Sequence, residues 1–252
     1  MNQILVTNDD GVRSPGLERL ANALTPLGVV TVVAPVAESS ASGHSLTLAR
    51  PLRLEQHEGR VYSVDGTPTD CVNVAVAKVL GHLPDLVVSG VNNGYNLGDD
   101  ITYSGTVAGA LEAALLGVPG LAISVGSGSP AADVARAAEI AAELAARVLE
   151  EGLPPRVLLN VNVPRGAHAG LRVTVQARRN HATSVAEALD PRRRRYFWIE
   201  EGESHWEVSD RSDHQAIKEG WVSVTPLHPD WTAHDHLTAT GRLCAPRGAE
   251  VE

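Results

Sequence analysis

Strand and helix alternate along most of this chain, and that alternation limits its fold more than any other feature. Ile4, Leu5, Val6 and Thr7 form an apolar, β-branched run that reads as a buried strand. Leu17, Leu20, Ala21 and Leu24 then recur at helical spacing until Pro26 and Gly28 end the helix, and Val29–Ala34 is a second buried strand. Short connections between such units predict parallel pairing with right-handed crossovers. The pattern continues to Val163 through strands at Asp85–Gly90, Gly120–Val125 and Arg156–Val163, and helices at Thr106–Leu116 and Ala131–Leu149. Leu46–Leu54 and Arg60–Val64 read as shorter strands. Thr67-Pro68-Thr69-Asp70 opens a further helix, with Thr67 as N-cap, Pro68 at the first position and Asp70 reaching back. Cys71, Val72, Val74, Ala75, Val79 and Leu80 give that helix its buried face, which leaves the Cys71 thiol inert.

Beyond Val163 the pattern changes. Leu171–Ala177 reads as a strand, and Arg178–Val208 has no helical period but carries Arg192–Arg195 followed by Tyr196, Phe197, Trp198 and Ile199. A long segment with exposed aromatics predicts an arm that packs on another subunit. Its arginines either attract anionic substrates or pair with acidic groups of a neighbour. Ser212-Asp213-His214 caps a short helix to Glu219, Trp221–Thr225 is a late strand, and a frayed end is expected after Pro246. The expected division is a catalytic core over residues 1–177 and, over 178–252, an oligomerisation arm with a returning helix and strand.

Composition narrows the function. A net charge of −9 and 4% aromatic residues disfavour broad nucleic-acid binding and single-strand stacking. No apolar run is long enough to span a bilayer, so no membrane partner is expected. Two cysteines, Cys71 and Cys244, give no disulfide framework, and with no secretion signal the expectation is a cytoplasmic protein.

Three loops follow predicted strands and converge at one sheet edge. The first, Asn8-Asp9-Asp10-Gly11, puts adjacent carboxylates where α/β folds place their chemistry. Either a divalent cation compensates them, or Asp10 opens a turn that caps the next helix while Asp9 is solvated. In an extended segment adjacent side chains point apart, so only a turn brings both to one ion. The second loop contains Ser39, Ser40, Ser42, His44 and Ser45, and the third runs from Ser89 through Asn92, Asn93, Asn96, Asp99 and Asp100. Their hard oxygen donors favour Mg²⁺ or Mn²⁺ over zinc. Ser104-Gly105-Thr106, ahead of a helix, reads as a phosphate cradle or as an ordinary cap. The absence of Gly-x-Gly-x-x-Gly after the first strand argues against a dinucleotide oxidoreductase. Adjacent aspartates also do not fit an Asp-x-Asp phosphatase.

In combination, ILVTNDDGVRSPGL, VVAPVAESSASGHSLT, GTPTDCV, PDLVVSGVNNGYNLGDDITYSGTVAGALEA, LNVNVP, DPRRRRYFWI and SDHQAIKEGWVSVTPL resemble the SurE family, the survival-protein nucleotidases. The resemblance covers nearly the whole chain. It implies a Rossmann-like three-layer α/β/α sandwich with a mostly parallel sheet and a C-terminal arm exchanged in homodimers or homotetramers. It also implies one divalent cation per subunit, held by Asp9, Asp10, Ser40 and Asn92, and substrate phosphate held by Asn96, Ser104, Gly105 and Thr106. Where the family loop commonly reads Ser-Gly this chain has Ser40-Ala41, and a one-residue slip would put Ser39 in place of Ser40. The implied activity is hydrolysis of nucleoside monophosphates, at the 5′ and often the 3′ position, with short polyphosphate as a further substrate. Asp9 or Asp10 would orient or deprotonate the attacking water, unless an aspartate is itself the nucleophile. The other class considered is a nucleotide-binding regulatory module that lacks turnover. Asp99 and Asp100 are expected either to support the metal ligands or to act as helix-start anions. His44 is expected either to meet substrate as a proton donor or to pack its loop. The group His228, Asp230, His234, Asp235 and His236 is read as a solvated tail in preference to a second ion site.

Overall fold

A computed structural model describes residues 1–207 and 209–244, with backbone alone at 180–183 and 200–204. Its strands are β1 (Asn2–Thr7), β2 (Gly28–Pro35), β3 (Leu54–Gln56), β4 (Val61–Val64), β5 (Leu86–Asn93), β6 (Gly120–Val125), β7 (Leu158–Val163), β8 (Leu171–Val173), β9 (Arg179–Leu189), β10 (Arg195–Trp206) and β11 (Val222–Leu227). The helices are α1 (Pro15–Leu24), α2 (Pro68–Val74, continued as a wider π turn to Leu80), α3 (Gly105–Leu115), α4 (Ala131–Glu151), α5 (Asp213–Lys218) and α6 (Leu237–Cys244).

Nine strands form one sheet in the order β3-β4-β2-β1-β5-β6-β7-β11-β8. From β4 to β7 every pairing is parallel. β3 closes one edge antiparallel to β4, and β11 returns antiparallel to β7 with β8 beside it. Alternation within β1 explains the layers. Ile4 and Val6 join α1 and α4 in one apolar cluster, whereas Leu5 packs with α2 on the other face, where α3 also lies. The result is the expected Rossmann-like α/β/α sandwich. β2 lies on one side of β1 and β5 on the other, so the strand order reverses between β1 and β5. Such reversals open a crevice beyond the carboxyl ends of the strands, where ligands bind.

The Thr67 cap forms as expected: Thr67 Oγ1 accepts the Asp70 N–H at 3.1 Å and Asp70 Oδ2 accepts the Thr67 N–H at 2.9 Å. Cys71 is fully buried, and burial pushes its thiol well above the usual range.

Three expectations change. The stretch Leu46–Leu54 is not a strand; pairing begins only at Leu54. Its backbone is held by side chains instead, with the Thr47 N–H on Asp70 Oδ1 and the Arg53 N–H on Asp65 Oδ1. The strand expected at Leu171–Ala177 stops at Val173, followed by a single bridge from Val175 to Ser212. The strand expected to end at Gly90 runs on to Asn93. A Cβ at Gly90 would lie 2.3 Å from the Ile123 carbonyl oxygen, and φ there is +133°, so only glycine lets β5 continue beside β6.

The segment 178–207 is a two-stranded hairpin, β9 with β10, outside the main sheet. Near its tip Phe197, Trp198 and Ile199 are 59%, 66% and 88% exposed. Arg194 pairs with Asp190 at 2.7 Å and Arg195 with Glu187 at 3.2 Å, so these arginines are engaged within the hairpin itself. Val208 and the end expected to fray after Pro246 lie outside the described residues.

Candidate active site

β1 ends at Thr7, and the chain turns at once. Asn8 is buried and its Nδ2 donates to the Gly11 carbonyl at 3.0 Å, while Gly11 adopts φ +96° against the Ala37 backbone. This turn brings two consecutive carboxylates into one cavity of about 340 Å³, where Asp9 and Asp10 both line the wall. The alternative of a helix cap is excluded: α1 starts at Pro15 with Ser14 as N-cap, and Asp9 is only 6% exposed.

The two carboxylates are gripped by different elements. The Thr106 hydroxyl and N–H, at the start of α3, both donate to Asp9. This approach depends on Gly105, since a Cβ there would lie 2.8 Å from Asp9 Cβ and 2.9 Å from Asp9 Oδ2. The Asn93 N–H, at the end of β5, donates to Asp10. Burial pushes Asp9 above the usual carboxylate range, although the Thr106 hydrogen bonds oppose it. Burial, and then the charge of Asp9, push Asp10 up to about 6. Glu38 adds a third negative group facing both.

The other expected residues arrive from the second and third loops. Ser40 lines the cavity and donates to Glu38 Oε1 at 2.6 Å. Ser39 is not part of this wall; its N–H donates to the Asp9 carbonyl at 2.8 Å and its hydroxyl is buried. Ala41, next to Ser40, has φ +55°, a conformation that favours the glycine usual in the family loop. Asn92 lines the cavity and uses its Nδ2 on the Gly94 carbonyl at 2.8 Å, which leaves Oδ1 as its free donor to a cation. Asn96 is held on four sides. Its N–H donates to Asn162 Oδ1 at 2.8 Å, its Nδ2 to Ser124 Oγ at 2.8 Å, and its carbonyl accepts from Asn160 and Asn162. Ser104 lines the cavity and caps α3, accepting the Val107 N–H at 3.0 Å, so its own O–H remains to donate. Gly105 and Thr106 are buried behind Asp9 and do not line the cavity.

The wall of Asp9, Asp10, Glu38, Ser40, Ala41, Asn92, Asn93, Asn96, Asp100, Tyr103 and Ser104 contains no Lys, Arg or His. Carboxylates so enclosed, without a positive side chain, suit a divalent cation, and the donors are the hard oxygens that Mg²⁺ or Mn²⁺ takes.

Sequence reasoning missed the frame around this cavity. Asp213, fully buried, accepts the Gly98 N–H at 2.9 Å, the Ala177 N–H at 3.0 Å and the His214 N–H at 2.7 Å. It thereby ties the third loop to the base of the hairpin. Arg179 completes the tie: its N–H donates to Asp99 Oδ2 at 2.9 Å, its Nη1 pairs with Asp100 Oδ2 at 2.6 Å, and it lies over the Trp206 ring. Asp99 and Asp100 therefore anchor the hairpin base. His44 Nε2 meets Glu112 Oε2 at 2.7 Å, and Asn73 Nδ2 donates to Glu112 Oε1 at 2.7 Å. Burial pushes Glu112 up, but these hydrogen bonds outweigh it and hold the carboxyl below its usual range. In the late segment His234 meets Asp230 Oδ2 at 2.7 Å on an exposed surface.

The profile of the family described as "Survival protein SurE" matches residues 4–183. A protein of Syntrophotalea carbinolica named "5'-nucleotidase SurE" is 53% identical over 230 residues, covering 91% of this chain and 92% of the relative. A protein of the same name from Geobacter metallireducens is 50% identical, covering 94% and 95%. The crystal structure of a SurE protein from Aquifex aeolicus superposes with a TM-score of 0.85 at 40% identity, covering 96% of this chain and all of that one.

Proposed function

This chain belongs to the SurE survival-protein family and is a 5′-nucleotidase, and from that premise we propose that Asp9, Asp10, Ser40 and Asn92 hold one divalent cation per subunit against the phosphate of a nucleoside monophosphate. One observation carries the proposal: these four side chains, from the turn after β1, the loop after β2 and the end of β5, line a single acidic cavity that has no cationic side chain in its wall. When bound, Mg²⁺ or Mn²⁺ supplies charge neutralisation and polarisation of phosphorus.

The chain's own residues supply the rest. Ser104, through its O–H, and Asn96, locked by its asparagine partners, position the phosphate beside the start of α3. Thr106 and Gly105 act one layer back, fixing Asp9 so that it holds its place without reorganising. Asp10 is the more exposed of the pair and is the base: one of its carboxylate oxygens takes a proton from the attacking water. The water oxygen bonds to phosphorus, the ester bond to the ribose oxygen breaks, and that oxygen takes up a proton from solvent.

The exposed hairpin apolars support a homodimer or homotetramer formed through the arm, with the division between core and arm near residue 177. Among the described residues no helix is long and apolar enough to cross a membrane. Two unpaired cysteines support a cytoplasmic location. The test is phosphate release from 5′- and 3′-nucleoside monophosphates and short polyphosphate, with Mg²⁺, with Mn²⁺ and with chelator. Metal-dependent release from the 5′-monophosphates is expected. Binding of AMP without release in any metal would overturn the assignment in favour of a regulatory module.

A further inference from the structure

The loop after β2 sends Glu38 and Ser40 into the wall of the acidic cavity, while the hydroxyl of Ser39 between them is buried outside it. That loop is fixed to the turn after β1. Ser39 donates its N–H to the Asp9 carbonyl at 2.8 Å, and a Cβ at Gly11 would lie 3.1 Å from the Ala37 carbonyl carbon. Glu38 and Ser40 are therefore set against the same turn that carries Asp9 and Asp10. A hydroxyl that ligates a cation binds through an oxygen lone pair, so its proton must point away from the ion, toward an acceptor. For Ser40 that acceptor is Glu38. Ser40 Oγ donates to Glu38 Oε1 at 2.6 Å, the length of a charge-assisted O–H···O⁻ bond. We propose that Glu38 is a positioning residue for the cation: it takes the Ser40 proton, aims the Oγ lone pairs into the cavity and strengthens an otherwise weak neutral ligand. This role rests on the cation site proposed above, in which coordination itself is left to Asp9, Asp10, Ser40 and Asn92.

The charge of Glu38 has a second effect. Asp9 and Asp10 together offset one divalent cation, and Asp100 is paired with Arg179. Glu38 faces both aspartates, and the wall holds no Lys, Arg or His to cancel it. The loaded site therefore keeps a net negative charge. That excess attracts the cation and repels a phosphate dianion, so Glu38 tightens the hold on metal while loosening the hold on free phosphate, the product. Glu38 is exposed, and solvent screening limits this second effect to a few-fold. The two consequences differ in sign. A residue that only packed its loop would weaken metal and phosphate together.

The test is the Mn²⁺ dissociation constant of metal-stripped protein by titration calorimetry. The proteins compared are the wild type, Glu38→Gln, Glu38→Ala, Ser40→Ala, the Glu38→Ala Ser40→Ala double variant and Asp9→Asn. Glu38 and Ser40 are both exposed, so changing them leaves the core intact. Glu38→Ala should weaken Mn²⁺ binding by at least about tenfold, the scale of a lost partner behind a metal ligand. Glu38→Gln, whose amide oxygen still accepts the Ser40 proton, should fall between Glu38→Ala and the wild type. In the Ser40→Ala background the loss of Glu38 should cost only about threefold, the part due to charge. At saturating Mn²⁺, inorganic phosphate should bind Glu38→Gln about threefold more tightly than the wild type. Glu38 variants that bind Mn²⁺ like the wild type, equal losses with and without Ser40, or weaker phosphate binding in Glu38→Gln, overturn the proposal. Asp9→Asn separates the two readings. If it loses Mn²⁺ while the Glu38 variants keep it, only the role of Glu38 fails. If the wild type binds no Mn²⁺, or Asp9→Asn binds it equally well, the cation site fails and the role of Glu38 with it.

Discussion

Asp9 and Asp10 differ in what grips them and in exposure, and the roles proposed for them rest on those differences. Thr106 holds Asp9 through a hydroxyl and an N–H, so Thr106→Val should lower kcat more than it raises KM, and Thr106→Ser should restore it. Steady-state kinetics on the pair of variants checks this. Asp10, pushed up to about 6, gives a pH prediction. A carboxylate raised in the folded state favours folding only while it is neutral. Its contribution is therefore present below the unfolded value near 3.8 and is lost as pH rises through about 6. A cation needs the ionised form, so metal should raise Tm more at pH 7.5 than at pH 5. Thermal unfolding with and without Mn²⁺ at the two pH values measures this, and an equal or larger rise at pH 5 would count against it. Ala41 makes a third point. Its φ of +55° costs a residue with a Cβ about 1 kcal/mol, so Ala41→Gly should stabilise by roughly that amount in denaturant unfolding.

At the scale of elements, the acidic cavity depends on loops tied to distant parts of the chain. Asp213→Ala would leave the Gly98, Ala177 and His214 N–H groups without their acceptor. It should cost about 2–4 kcal/mol, as expected when buried donors lose their partner, and should weaken metal binding because the third loop is released. Denaturant unfolding and metal titration of that variant read the two effects. Elements governed by local chemistry were legible in the sequence: the buried run of β1, the Leu17–Leu24 spacing of α1, and the Thr67–Asp70 capping box. So were the three segments that line the acidic cavity, because hard oxygens cluster in each. What stayed hidden was set by distant partners. Gly90 reads as the end of a strand, yet its missing Cβ is what lets β5 pass the Ile123 carbonyl and carry Asn92 to the cavity. Leu46–Leu54 alternates like a strand, but Asp65 and Asp70 side chains take its N–H groups. Asp213 lies 115 residues from Gly98, and no spacing rule connects them.

For the whole molecule, the reversal of strand order between β1 and β5 explains why the chemistry sits where it does. It brings the ends of both strands and the start of α3 around one opening, with a larger apolar cavity beside it. The hairpin projects from this body with exposed apolar side chains, and it is anchored through Arg179 to the same loop that lines the cavity. In the proposed assembly, a hairpin that carries the subunit contact would act through Arg179 on the loop that lines the cavity. Charging the tip with Trp198→Glu should shift the protein to a smaller species in sedimentation equilibrium. The central claim, that this chain turns over nucleotides at a cation held by Asp9 and Asp10, is tested most directly by phosphate release from AMP as Mn²⁺ is titrated into dialysed protein, wild type beside Asp9→Asn. Saturable release that chelator abolishes, and that falls by at least about a hundredfold in the variant, is predicted; undiminished release in chelator or in Asp9→Asn would contradict it.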